Sequence, residues 1–105
     1  MILNGKAKEE FEKWYFETKC SSSMKFEELL PHHINDVFGW LYNSSKIIQN
    51  AFIIEWFSSV KYEGSSSLWQ YCFVTCYWDR GLKEYKQSTI QAIKKANDIY
   101  NARTN

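Results

Sequence analysis

The stretch that decides the predicted fold is Leu68-Trp-Gln-Tyr-Cys-Phe-Val-Thr-Cys-Tyr-Trp-Asp-Arg-Gly-Leu-Lys-Glu-Tyr-Lys86. Its first eleven residues are mainly aromatic and β-branched, a composition typical of β-strands. Asp79-Arg80-Gly81 follows as a three-residue turn, because glycine adopts positive φ at little cost. The sequence therefore predicts that residues 82–87 return as an antiparallel partner strand.

Helices are predicted on both sides of this hairpin, because apolar residues recur three and four positions apart. One helix covers about Lys6 to Lys19, with Asn4 as its expected cap. A second covers about His32 to Tyr42, after the break that Pro31 imposes. A third begins at Ser88, which forms a capping-box pattern with a glutamine three residues later.

The segment Ile47 to Val60 fits two patterns. Phe52, Ile54 and Trp56 alternate as in a strand, but the apolar run is too long for a typical strand, which favours a helix that ends in a short strand near Val60 to Tyr62. The predicted fold class is α+β in a single domain, residues 1–105. It has N-terminal helices, a small antiparallel hairpin or meander over about residues 60–87, and a C-terminal helix packed on one sheet face.

Charge and apolar patterning exclude several classes of protein. Thirteen basic residues nearly balance twelve acidic ones, so no overall field favours nucleic acid or a membrane surface. The N-terminus lacks the uninterrupted apolar core of a signal peptide, and no apolar run approaches the roughly twenty residues that cross a bilayer. We therefore expect a soluble cytoplasmic protein with no membrane partner.

Candidate catalytic and metal-binding residues are few. Cys20, Cys72 and Cys76 form no Cys-x-x-Cys pair, and their odd number fits reduced thiols better than a disulfide framework. The adjacent pair His32-His33 has no further ligand at a recognised spacing, so no metal site and no cofactor are predicted. Without a phosphate-binding loop or nucleophile motif, the sequence predicts no enzyme.

The aromatic strand carries the main functional hypothesis. Alternation along a strand would place Trp69, Tyr71, Phe73 and Tyr77 on one face. Those rings are either core, or a surface that contacts a protein partner or a second copy, or a platform that stacks the bases of single-stranded nucleic acid. In the last case basic side chains would contact the phosphates, the candidates being Arg80, Lys83, Lys86, Lys94 and Lys95.

The C-terminal segment Thr-Ile-Gln-Ala-Ile-Lys-Lys-Ala-Asn-Asp-Ile-Tyr-Asn, residues 89–101, resembles the closing helix of small bacteriophage and prophage proteins of unknown function. Residues 52–60 resemble the aromatic helix that precedes the strands in such proteins, although Ser58 replaces their usual acidic residue. The resemblance implies a phage or mobile-element origin and the cytoplasm of a bacterial host. It brings no catalytic residue.

These observations lead to one functional hypothesis and one alternative. The hypothesis is a phage or prophage accessory protein that acts as a protein–protein interaction module, for example by inhibiting a host protein. The alternative is a single-stranded nucleic-acid-binding protein that uses the aromatic face.

Overall fold

The computed structural model describes residues 1–20, 23–79 and 85–103. Within these ranges the chain is mainly helical, with one small antiparallel sheet of two strands. In chain order the elements are α1 (Gly5–Lys19), a 3-10 turn (Phe26–Glu28), α2 (Pro31–Asn43), α3 (Lys46–Ser59), β1 (Lys61–Glu63), β2 (Ser66–Ser67), α4 (Leu68–Asp79) and α5 (Tyr85–Arg103).

The predicted central strand is wrong, because residues 68–79 form the helix α4. Its fully buried residues, Leu68, Cys72 and Cys76, recur every four positions, which is the period of one helix face. Ser67 precedes the helix and its Oγ accepts a hydrogen bond from the backbone N–H of Gln70 at 3.1 Å, as an N-cap does. Packing against α3 and α5 therefore overrides the strand preference of the individual residues.

The hairpin lies earlier in the chain than predicted. β1 pairs with β2 in antiparallel register, with Lys61 opposite Ser67, and Gly64 in the turn between them has a φ of +55°. Of the predicted turn at residues 79–81, Asp79 belongs to α4, and residues 80 and 81 lie outside the described ranges. The end of the predicted return strand, residues 85–87, belongs to α5.

The helices predicted from apolar spacing before residue 60 are confirmed. α1 buries Ala7, Phe11 and Tyr15 on one stripe, and α2 begins at Pro31, whose fixed φ suits the first helical position. The ambiguous segment after residue 46 is the helix α3, followed by a short strand as predicted. Ser45 caps α3, because its side chain accepts a hydrogen bond from the N–H of Ile48.

The C-terminal helix α5 differs from its prediction in two respects. It begins at Tyr85, so Ser88 is not its cap but a buried residue of its first turns. Its packing partners are α4, α1 and α3, rather than a sheet face. None of the described helices combines the length and the apolar character that a membrane crossing requires.

Three asparagines join the two ends of the chain. Asn4 precedes α1, but its side chain does not cap that helix; its Oδ1 accepts hydrogen bonds from Nδ2 of Asn97 and of Asn101, each at 3.0 Å. Asn101 Oδ1 accepts from the N–H of Ala7 at 2.7 Å, so a side chain of α5 satisfies the exposed N-terminus of α1. α1 and α5 are thereby fixed against each other.

Candidate protein-interaction surface

Three of the four predicted aromatic residues form a row on α4. Trp69, Phe73 and Tyr77 are four positions apart, so they lie on successive turns of the same side of the helix. The ring centroids of the first two are 5.6 Å apart and those of the last two 6.0 Å apart, with interplanar angles of 29° and 24°. All three side chains are half-buried.

Tyr71, the fourth predicted residue, lies on another side of α4. Its ring stacks on Tyr62 of β1 with centroids 4.1 Å apart and an interplanar angle of 13°. A hydrogen bond between the two side chains raises the pKa of Tyr62. The ammonium of Lys95 lies 5.4 Å from the centroid of the Tyr71 ring. Tyr71 therefore holds α4, β1 and α5 together instead of joining the row.

A second row on α4 is exposed and was not predicted. Gln70, Val74 and Trp78 are also four positions apart, and Val74 and Trp78 are 46% and 72% exposed. The strand interpretation placed them on the face opposite the aromatic residues, whereas the helix places the two rows side by side. Together the two rows form what we call the α4 surface: Trp69, Gln70, Phe73, Val74, Tyr77 and Trp78.

The α4 surface is uncharged, since no acidic or basic residue occurs from position 68 to position 78. The predicted basic residues are located elsewhere. Lys86 and Lys94 are exposed on α5, and Lys95 contacts Tyr71 rather than the row. Arg80 and Lys83 lie outside the described ranges. The structure therefore does not combine the aromatic row with the described basic side chains.

The two histidines have a structural role at the start of α2. Nδ1 of His33 accepts a hydrogen bond from the backbone N–H of Leu30 at 3.1 Å, and the rings of His32 and His33 are 4.1 Å apart. Among the residues that the structure describes, no group of three potential metal ligands comes together. The pair is accounted for as part of a helix terminus.

Cys20 lines a shallow cleft between the end of α1 and the 3-10 turn. The cleft has a volume of about 390 Å³ and is bordered by apolar Phe16, Met24 and Phe26 as well as charged side chains. Partial burial raises the pKa of the Cys20 thiol above its ordinary value, which disfavours the reactive thiolate. The geometry thus gives Cys20 access to solvent but no activation.

We expect Cys20 to react with iodoacetamide about tenfold or more faster than Cys72 at pH 8. Burial raises the pKa of Cys72 to about 12, opposed only in part by Lys95, so the thiol stays protonated as well as inaccessible. Mass spectrometry of peptides after timed labelling would measure both rates. Because the pKa of Cys20 is raised from 9.0, its labelling rate should still rise above pH 9.

Denaturant provides the control for this experiment. In urea the three free thiols should be labelled at similar rates, because their environments become alike. Equal labelling of Cys20 and Cys72 in the absence of denaturant would contradict the placement of Cys72 in the core.

A second set of exposed apolar side chains lies where α2 turns into α3. Trp40, Ile47 and Ile48 are 61%, 75% and 40% exposed. The Trp40 ring contacts Phe52 edge-on with centroids 6.0 Å apart, which fixes it against α3. We call these three residues the α2–α3 surface. Lys46 directly precedes Ile47, so a charged residue adjoins this surface.

Comparison of the chain with models of known protein families, with curated proteins and with solved structures yields no match. The roles of the residues of the α4 surface therefore rest on their own geometry and chemistry.

Proposed function

We propose that this protein is an interaction module that binds a protein chain through the α4 surface. The observation that supports it is a solvent-facing side of a helix with no charge and with Trp78 largely exposed. A helix that is apolar on all sides is typically buried. In this chain Trp69 and Phe73 pack partly against the core, but Val74 and Trp78 stay exposed. A protein partner would complete the burial of this side of α4.

Protein is favoured over nucleic acid by charge. Single-stranded nucleic acid is bound by aromatic rings together with basic side chains that neutralise phosphates. Lys95 lies on Tyr71, whose ring is also stacked on Tyr62. The α4 surface itself offers rings without a cation. Uncharged centres rich in tryptophan and tyrosine are typical of protein interfaces.

The biological setting of the proposal comes from the phage-like C-terminal segment. A phage or prophage accessory protein would act in the cytoplasm of its bacterial host, where binding could inhibit a host protein. The absence of a predicted catalytic set fits a role that depends on binding, and catalysis forms no part of the proposal.

The test is site-specific photocrosslinking in bacterial cells. A benzoylphenylalanine residue at Val74 should give a discrete crosslinked species that contains a second protein chain. The same residue at Gln87, which is exposed on α5, is the matched control and should not give that species. Trp78→Asp should abolish the crosslink from position 74.

Three outcomes are informative. A specific protein crosslink from position 74 supports the proposal. Identical products from positions 74 and 87, or no product from position 74, contradict it. Crosslinks from position 74 to nucleic acid alone would replace it by the alternative of single-strand binding.

A further inference from the structure

We infer that the protein chain bound by the α4 surface is a second copy of this protein, in a dimer whose two α4 helices cross antiparallel about a two-fold axis near Val74. This inference rests on the proposed function and names the partner of the same surface. It is supported by the shape of the surface, by the placement of its polar groups, and by the size and form of the monomer.

The two rows of the α4 surface form parallel ridges with a groove between them. Each row joins residues four positions apart, and ridges of this kind interdigitate when two helices cross in the commonest packing class. From position 70 to position 78 the ridge extends for about 12 Å along the helix. Two identical copies can therefore place the ridge of one in the groove of the other.

Val74 lies at the middle of α4, which covers positions 68–79. A two-fold axis at this point brings the two Val74 side chains together and covers both halves of each helix equally, as an isologous contact requires. The exposed valine is small enough to let the helices approach, while Phe73 and Trp78 flank it. The apolar contact is thus centred on the axis.

The polar groups of the surface are placed to satisfy each other in such a pair. Gln70 lies four positions before Val74 and Trp78 four positions after it, each about 40° from Val74 around the helix axis, on opposite sides, at 100° per residue. An antiparallel two-fold at Val74 therefore puts Gln70 of one copy beside Trp78 of the other, twice per dimer. The indole N–H of Trp78 can then donate a hydrogen bond to the amide oxygen of Gln70 inside the contact.

Charge also favours a second copy. Two identical surfaces repel each other when they carry net charge, but from position 68 to position 78 this helix carries none. Interfaces between identical chains are more apolar than transient interfaces between different proteins. A surface adapted to a charged partner would instead be expected to carry the complementary charge.

The dimensions of the monomer agree with a subunit of an assembly. Its accessible surface is 6809 Å² for a mass of 12.5 kDa, against about 6,200 Å² expected for a folded monomer of that mass. Its radius of gyration is 14.6 Å, against about 13 Å expected for its length.

Such a dimer makes no use of the α2–α3 surface. Trp40, Ile47 and Ile48 belong to other helices than α4. Each dimer would carry that surface twice.

The experiment is sedimentation equilibrium of the purified full chain from 1 to 500 µM, with three variants. The wild type should show a reversible monomer–dimer equilibrium. Val74→Asp and Val74→Lys should each weaken dimerisation tenfold or more, since each places two like charges on the two-fold axis. Gln87→Asp, on an exposed site of α5, should leave the equilibrium unchanged.

The decisive measurement is a mixture of the two charged variants. Only in an isologous contact does position 74 face position 74, so an equimolar mixture of Val74→Asp and Val74→Lys should recover dimer at concentrations where each alone is monomeric. Circular dichroism and thermal melting would verify that both variants fold. Because Val74 is exposed in the monomer, we expect helical content close to that of the wild type.

A wild-type chain that remains monomeric at 500 µM would overturn the inference, as would a dimer that Val74→Asp does not affect or a mixture without recovery. The proposed function has its own readout, the photocrosslink from position 74. A monomeric chain that crosslinks there to a different protein would refute the dimer and retain the interaction module. A chain that does neither would refute both.

Discussion

Replacing Gln49 by methionine should lower the free energy of unfolding by about 2–3 kcal/mol. The Gln49 amide Nε2 lies 3.1 Å from the carbonyl oxygens of Leu41 and Tyr42 and 3.2 Å from that of Ser44. These carbonyls lie at the end of α2, where a helix runs out of backbone donors. The carbonyl of Leu41 also accepts from the N–H of Ser44. Methionine fills a similar volume but cannot donate, so the carbonyls would lose the buried amide as their partner.

A glutamate at the same position separates the loss of donors from a change in shape. Gln49→Glu keeps the size but places a carboxylate against carbonyl oxygens at the negative end of a helix. We expect it to destabilise the protein more than Gln49→Met at pH 7, and the difference to shrink as the pH falls and the carboxyl becomes a donor. Urea denaturation at pH 7 and pH 4 would measure both variants.

The control for these variants is Gln87→Met, because Gln87 is exposed on α5. Its effect should lie within about 0.5 kcal/mol of zero. If Gln49→Met were equally neutral, the amide would not be needed to end α2.

Helices with a polar side could be predicted from the sequence. α1 carries charged residues opposite Phe11 and Tyr15, and α2 follows Pro31, so periodicity and local stop signals agree there. α4 has neither signal, because its apolar residues surround the helix and its aromatic and β-branched residues individually prefer strands. Contacts with α3 and α5 decide its conformation, and those contacts are not visible in a local pattern.

Three of the four predicted aromatic residues share one side of α4 although the predicted element was a strand, and the reason is geometric. Residues four positions apart share a face in a strand of period two and nearly share one in a helix of period 3.6. Trp69, Phe73 and Tyr77 therefore stay together in either conformation. Tyr71 is two positions from Trp69 and from Phe73, so it would share their face in a strand but does not share it in a helix. In the structure its ring stacks on Tyr62 instead.

Contacts between distant parts of the chain were beyond prediction. Asn4 is a common type of helix cap, yet it binds Asn97 and Asn101, more than ninety positions away. The cap of α1 is therefore supplied by another helix, and no local rule indicates it. The capping-box pattern at Ser88 indicated the helix but not its start. The helix begins three residues earlier, at Tyr85, so Ser88 lies inside its first turns.

Truncating Trp56 to alanine should lower the free energy of unfolding by about 3–5 kcal/mol, more than any other change considered above. Trp56 is only 5% exposed, and its ring lies 5.9 Å from that of Phe11 in α1 and 5.0 Å from that of Tyr100 in α5, measured between centroids. One side chain of α3 thus joins three helices. Its removal leaves a cavity that all three would have to close.

The matched control is Trp40→Ala, which deletes the same atoms from the neighbouring helix α2. Trp40 is 61% exposed and contacts α3 edge-on through Phe52, so we expect a loss below about 1 kcal/mol. Urea denaturation monitored by circular dichroism would compare the variants without relying on the deleted fluorophores. Similar losses for the two would contradict the arrangement in which α1, α3 and α5 close around Trp56, because a ring in solvent and a ring in the core cannot contribute equally.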